Sequence, residues 1–127
     1  MAQNTVGLCI IYRWRLKPGL EKQFIENWSA ATKLLMDVRG ALGSRLHQCE
    51  DGTWMAYAQW PSKATWEHHR SLPSVDAEVL RRMLEAEEEA FPPILLRPVA
   101  DYLGSKPLLY LTIIYKACFL LLITNDT

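Results

Sequence analysis

The stretch 51–62 restricts the possible folds of this chain most strongly. Asp51 and Gly52 form a pair that accepts the positive φ values of a tight two-residue turn, and they therefore predict a β-hairpin. Pro61 and Ser62 then predict the end of the strand after the turn and the cap of a following helix, because proline cannot donate to a ladder. Between these signals the residues alternate, which predicts a strand with two different faces: Trp54, Ala56, Ala58 and Trp60 against Thr53, Met55, Tyr57 and Gln59.

The remaining elements follow in the order β-α-β-β-α-β. Alternation over Leu8–Leu16 predicts a first strand, and apolar residues at three- and four-residue steps predict a helix over 20–38 that Gly40 ends. The other predicted elements are a strand over 41–49, a short helix over 62–71, a second helical segment over 75–90 and a last strand over 94–103. This order predicts an α+β fold of the ferredoxin-like type, with an antiparallel sheet.

Helices on one face of such a sheet leave the other face without cover. Two sheets paired across a two-fold axis would cover each other, so the topology predicts a homodimer with the form of a dimeric α+β barrel. The candidates for the surface between the two sheets are Arg13, Arg15, Arg45, Tyr57 and Gln59.

Length and composition exclude several classes of protein. The 127 residues suit one domain, predicted over 5–104, and 14 basic residues balance 14 acidic ones. A net charge of zero gives no electrostatic reason to expect a nucleic-acid partner or an anionic membrane surface. Three scattered cysteines without CxxC spacing indicate neither a disulfide framework nor a zinc site. Without a secretion signal at the start, the expected location is the cytoplasm.

The chain end over 105–127 does not belong to the predicted ferredoxin-like domain. Its apolar run over 108–124 is interrupted by Lys116, and a lysine at the centre of a membrane span costs about 2.5–3.5 kcal/mol on the insertion scale. The β-branched content favours an extra strand over a membrane anchor. The other interpretation is an extension that is foreign to the domain.

The usual motifs of metal, nucleophile and nucleotide sites are absent from the sequence. His68 and His69 are neighbours on a predicted helix, so their side chains diverge by about 100° and cannot share one ion, while His47 has no carboxylate at ligand spacing. There is no GxSxG, GxxxxGK or GxGxxG motif. We therefore expect no metal and no flavin or nicotinamide cofactor, which leaves a cofactor-free enzyme or a binding protein.

The two alanines between two tryptophans predict a hollow above the sheet. Such a slot suits a flat, mostly apolar molecule, although aromatic side chains at these positions equally fit a packed core. Tyr12 and His69 are candidates for a base or an orienting donor, since a phenol loses its proton before oxygen reacts with its ring. The residues predicted to line the slot and bind substrate are Trp14, Trp28, Ala56, Ala58 and Trp66, with Trp60 at its end.

The run DGT followed by YAQW, within residues 51–60, resembles the antibiotic biosynthesis monooxygenase family. The resemblance covers roughly residues 6–103 in element order. It implies a pocket between helices and sheet, and a cofactor-independent oxidation of aromatic polyketides by dioxygen. In the quinone-forming branch, Trp60 matches an active-site tryptophan. Ala56 stands where that branch has an asparagine, and Trp66 where it has a tyrosine.

A second branch of the superfamily degrades haem. Tyr12 occupies the position of its strand asparagine and His69 that of its tryptophan, but the haem-ligating histidine has no counterpart here. Together with the predicted slot, the resemblance implies a cofactor-independent monooxygenase acting on a flat aromatic, polyketide- or quinol-like molecule, with Trp60, Tyr12 and His69 as catalytic residues. The alternative is a non-catalytic dimeric module that binds a small hydrophobic ligand.

Overall fold

The computed structural model describes residues 5–103 and the single residue Lys116. The tail predicted over 105–127 therefore lies outside the described residues, apart from Lys116. Within them, no helix combines the length and apolar character needed to cross a membrane. The elements are β1 (Leu8–Leu16), α1 (Glu21–Val38), β2 (Gly43–Gln48), β3 (Trp54–Trp60), α2 (Lys63–Ser71), α3 (Ala77–Ala86), β4 (Glu87–Ala90) and β5 (Ile94–Leu96).

The strands form one antiparallel sheet in the order β2-β3-β1-β4, and β5 also pairs with β1. The predicted α+β ferredoxin-like class with an antiparallel sheet is confirmed. The hairpin predicted at Asp51 and Gly52 joins β2 to β3, with Gly52 at a φ of 88° and its backbone N–H donating to the Cys49 carbonyl over 3.0 Å. Glycine suits this turn because a positive φ strains other residues.

Two predicted element boundaries were wrong. The helix expected to run to residue 90 ends at Ala86, and the acidic residues after it form β4, whose Glu89 lies opposite Arg15 with 3.7 Å between Arg15 Nε and Glu89 Oε1. The last strand ends at Leu96 rather than at residue 103. Two short strands, β4 and β5, thus share the edge of β1 that faces away from β3. One continuous strand is not possible there, because Pro92 and Pro93 have no backbone N–H to continue the ladder.

The start of α2 is held close to the start of β1. Ser62 caps α2 as predicted, since its hydroxyl accepts the Thr65 backbone N–H over 3.0 Å. Gly7 donates to the Trp60 carbonyl over 3.0 Å, and a Cβ at residue 7 would lie 2.2 Å from the Pro61 carbonyl oxygen. Only glycine permits this close approach, which fixes the path of the chain from β3 into α2.

The core lies between the sheet and its helices and consists of two clusters. The first contains Leu8, Ile10, Ala58, Trp60 and Trp66. The second contains Trp14, Leu16, Phe24, Ala56 and Ala86. Tyr12 packs against both clusters, so the alternate residues of β1 form a continuous floor under the helices, as the alternation predicts.

Replacement of Trp60 with alanine tests the core assignment. Trp60 is only 3% exposed, and we expect Trp60→Ala to lower the free energy of unfolding by about 3–5 kcal/mol through lost burial and a residual cavity. The matched control is Trp54→Ala on the same strand, where the tryptophan is half-buried and the loss should be smaller. Urea denaturation of both variants measures the difference, and equal losses would contradict the assignment.

Candidate functional site

A groove of about 390 Å³ lies between α1, the end of α2 and α3. Most of its lining is aliphatic, and its polar groups come from the end of α2 and the connection to α3. We call it the interhelical groove; its lining residues are Ala31, Leu35, His69, Arg70, Leu72, Ser74, Val75, Asp76, Val79, Leu80 and Met83. Its volume falls within the range of small-molecule sites, about 300–1,000 Å³.

Two larger concavities occur elsewhere on the described surface. One, of about 970 Å³, is lined by residues around Val6, the end of α1 and the segment 98–103. The other, of about 500 Å³, lies on the sheet face away from the helices, between Arg45, His47 and Tyr57. Neither is lined by a residue predicted for catalysis or substrate binding. Although smaller, the interhelical groove is the better candidate, since it is the more apolar and contains His69.

His69 connects the groove to the core. Its ring stacks on Trp60, with the ring centroids 5.2 Å apart and the planes 22° from parallel. At the edge of the ring, Nδ1 lies 3.0 Å from Nη1 of Arg39. Arg39 is the residue directly after α1. The aromatic plane and the guanidinium together fix the orientation of the imidazole at the wall of the groove.

The same surroundings lower the pKa of His69 below its ordinary value of 6.5. Partial burial is the largest cause, because it removes water from the charged imidazolium, and the positive charges of Arg39 and Arg70 act in the same direction. Protonation of Nδ1 would also replace an acceptor with a donor facing Arg39. His69 is therefore a neutral imidazole at neutral pH.

Tyr12 lies beneath α2 and is paired with Trp66. The indole Nε1–H donates to the Tyr12 hydroxyl oxygen over 3.1 Å, and the Arg70 guanidinium lies 4.6 Å from the centre of the Trp66 ring. Burial raises the pKa of Tyr12 above 10, although the hydrogen bond from Trp66 opposes this shift. Tyr12 is thus a neutral phenol at neutral pH, and its oxygen is engaged by an indole donor.

The other residues predicted to bind substrate lie in the core clusters. Ala56 is fully buried and Ala58 is buried beside Trp60 and Trp66. Trp14 packs edge-on against Phe24, with 4.9 Å between centroids, and the partly buried Trp28 packs against the same cluster. The structure therefore brings the predicted residues together on the helix side of the sheet, and among them only His69 lines the interhelical groove.

Sequence reasoning missed Arg39 and the groove wall from α3. Arg39 is 30 residues from His69 along the chain, and no local pattern joins the two. Val79 and Met83 lie at helical spacing in the sequence and indicate an apolar stripe on α3, but this spacing does not indicate that the stripe borders a groove. In the described part of the chain, no three His, Cys, Asp or Glu side chains are placed to hold a metal ion.

Comparison with known proteins places this chain in a family. Residues 7–79 match the family model described as antibiotic biosynthesis monooxygenase. This match spans more than half of the 127 residues and includes β1, the hairpin and α2. No curated protein matches the sequence.

Solved structures from several organisms share this fold. SnoaB, a cofactor-independent oxygenase from Streptomyces nogalater, has a TM-score of 0.64 at 9% identity, covering 77% of this chain and 98% of its own. Rv0793 from Mycobacterium tuberculosis has a TM-score of 0.61 at 16% identity, covering 75% and 97%. A conserved protein from Methanosarcina mazei Go1 has a TM-score of 0.61 at 11% identity, covering 74% and 94%. At these identities the likeness establishes the fold.

The lowered pKa of His69 predicts how stability depends on pH. Unfolded His69 takes up a proton near pH 6.5, whereas the folded protein takes it up only at lower pH, so stability falls as pH decreases below about 6.5. An NMR titration of the His69 ring should give a midpoint below 6.5, and His69→Leu should flatten this part of the stability profile. A midpoint above 6.5 would contradict the proposed environment.

Proposed function

The chain belongs to the antibiotic biosynthesis monooxygenase family, and on this premise we propose that it is a cofactor-independent monooxygenase acting on a flat aromatic, polyketide- or quinol-like molecule. The supporting observation is an apolar groove of about 390 Å³ whose wall contains His69 stacked on the buried Trp60. A groove of this volume suits a small polycyclic ligand.

The proposed chemistry needs no bound redox group, because the substrate supplies the electrons. In the anthrone case, one methylene carbon loses two hydrogens and gains one oxygen atom from dioxygen, while the second oxygen atom leaves as water: R₂CH₂ + O₂ → R₂C=O + H₂O. The substrate ionises by releasing its proton to solvent water, and the protein's part is to hold the resulting anion near dioxygen and to stabilise negative charge on the substrate oxygen. His69 at the groove wall is the candidate for this stabilisation.

A second function has support from the same geometry. Trp60 is 3% exposed and covered by His69, while the Tyr12 oxygen accepts a hydrogen bond from Trp66. Two of the three predicted catalytic side chains are thus occupied by contacts within the protein. This arrangement favours the alternative, a module that binds a small hydrophobic molecule without turnover.

The open face of the sheet supports the proposal of a homodimer. No helix of residues 5–103 covers this face. One row across it runs from Ile11 to Tyr57 to Arg45, and Tyr57 lies 3.0 Å from the Cys9 sulfur, with its hydroxyl also accepting from Gln59. A half-buried mixture of apolar and polar groups of this kind suits a surface paired with a second copy.

Oxygen uptake with anthrone distinguishes the two functions. We expect wild-type protein to consume oxygen faster than anthrone autoxidises, and His69→Leu to lower the rate by roughly 100-fold, the typical cost of removing one oxyanion donor. The matched control is His68→Leu, because His68 is exposed and diverges from His69 on the helix, and it should stay near the wild-type rate. Binding of anthrone without uptake above autoxidation would instead establish the binding module.

Sedimentation velocity tests the dimer. Wild-type protein should sediment at about twice the chain mass of 14.6 kDa. Ile11→Lys adds a third positive charge to the open face that carries Arg13 and Arg45, and it should shift the protein to monomer by repulsion and desolvation. Ile25→Lys on α1, where the isoleucine is 39% exposed, is the matched control and should stay dimeric. A monomeric wild type would contradict the proposal.

A further inference from the structure

The Arg39 side chain joins the end of α1 to the end of α2. Its Nη1 lies 3.0 Å from His69 Nδ1 and also donates to the His69 carbonyl over 3.3 Å. Its Nη2 donates to the Pro73 carbonyl over 2.5 Å. One guanidinium thus reaches a ring nitrogen and two backbone oxygens on the segment that borders the interhelical groove.

This contact determines the tautomer of His69. A guanidinium carries only donors, and it keeps its proton at every pH at which proteins are folded. The ring atom that faces it must therefore act as an acceptor, which places the single proton of neutral His69 on Nε2. Among residues 5–103, Nε2 has no hydrogen-bond partner within the protein.

We propose that Arg39 is a positioning residue that holds His69 as the Nε2–H tautomer, so that the interhelical groove offers a hydrogen-bond donor and selects aromatic ligands that carry a carbonyl or phenolate oxygen. The inference deepens the proposed function, since both use the same groove. It also separates two roles that the sequence left open for His69: the side chain donates to the ligand, and it does not remove the ligand's proton.

The charges around the groove agree with an acceptor ligand. Arg39 and Arg70 bring positive charge to the His69 side. Asp76, at the start of α3, is the one carboxylate that residues 5–103 contribute to the lining, and its Oδ1 already accepts the backbone N–H groups of Glu78 and Val79. Tyr12, below α2, is neutral and engaged with Trp66. An oxygen with partial or full negative charge is therefore favoured beside His69.

The fixed imidazole ring of His69 also affects which ligands the groove accepts. Stacking on Trp60 fixes the imidazole plane, and the lining from α1 and α3 is apolar. The other side-chain donors that residues 5–103 contribute to the lining, Arg70 and Ser74, belong to the end of α2 and the connection to α3. A flat hydrocarbon would bury its area equally well but leave Nε2–H without an acceptor. Since a buried donor without a partner is costly, the groove discriminates by the presence of the oxygen.

The tautomer is measured directly by ¹⁵N NMR of the His69 ring in the complete chain at a pH where it is neutral. We expect wild-type protein to show one protonated nitrogen, Nε2, and one unprotonated nitrogen, Nδ1. Arg39→Met should give a mixture of both tautomers. The control Arg70→Met removes an equal charge near the ring without removing the hydrogen bond, and should keep Nε2–H. Protonated Nδ1 in wild type, or unchanged signals in Arg39→Met, would overturn the proposal.

Ligand selection is measured with 9-fluorenone and fluorene, which differ in one carbonyl oxygen. Titrations followed by NMR should show fluorenone binding about three- to tenfold more tightly to wild type, the usual contribution of one net hydrogen bond. His69→Leu should bring this ratio close to one. Equal affinities in wild type, or the same ratio in His69→Leu, would contradict the donor role. This test does not use Arg39→Met, so it still decides the question if that variant does not fold.

These measurements separate the inference from the proposed function. Neither experiment measures turnover. If the protein prefers fluorenone through His69 but does not take up oxygen with anthrone, the donor site is supported and the monooxygenase function is contradicted. A protein that oxidises anthrone while His69 carries its proton on Nδ1 retains the enzyme assignment and loses the inference.

Discussion

The pairing of β1 with strands on both of its edges is the constraint on which the rest of this structure depends. β1 lies against β3 from Leu8 to Trp14 and against β4 and β5 on its other edge. Because side chains alternate along a strand, this fixed register sends one set of residues under the helices and the other set to the open face. Both core clusters and the proposed dimer surface follow from that single choice of register.

The fold was predictable where a residue pattern repeats over a whole element. Alternation in β1 and β3, the hairpin at Asp51-Gly52 and the Ser62 cap are local signals, and the structure confirms all three. The predicted two-residue turn was wrong in its length, because the loop spans residues 50–52 and Gly52, not Asp51, has a positive φ. The acidic run after Ala86 carries no such alternation, and the helical spacing of Val79, Met83, Ala86 and Ala90 predicted helical propensity up to residue 90. Pairing with β1 outweighed that propensity, since residues 87–90 complete the edge of the sheet and bring Glu89 to Arg15.

The candidate site was predictable only in part, because its walls meet through the fold and not along the chain. The alanines of β3 predicted a hollow, and in the structure large side chains pack over them: Trp66 beside Ala58, and Phe24 in the cluster of Ala56. Small residues in a sheet admit large neighbours as readily as ligands, since interiors are close-packed. The open volume lies further from the sheet, between α1 and α3, with His69 as its link to the predicted residues.

Arg39 ties the stability of this region to its chemistry. The guanidinium donates to the His69 carbonyl, which also accepts the Leu72 backbone N–H, and to the Pro73 carbonyl beyond the end of α2. The same group orients the imidazole of His69. A side chain that donates to both backbone and ring cannot shift to suit a ligand without releasing the connection between α2 and α3. The donor at the groove wall is thus preorganised by contacts that exist before any ligand binds, and preorganised donors of this kind stabilise developing negative charge most effectively.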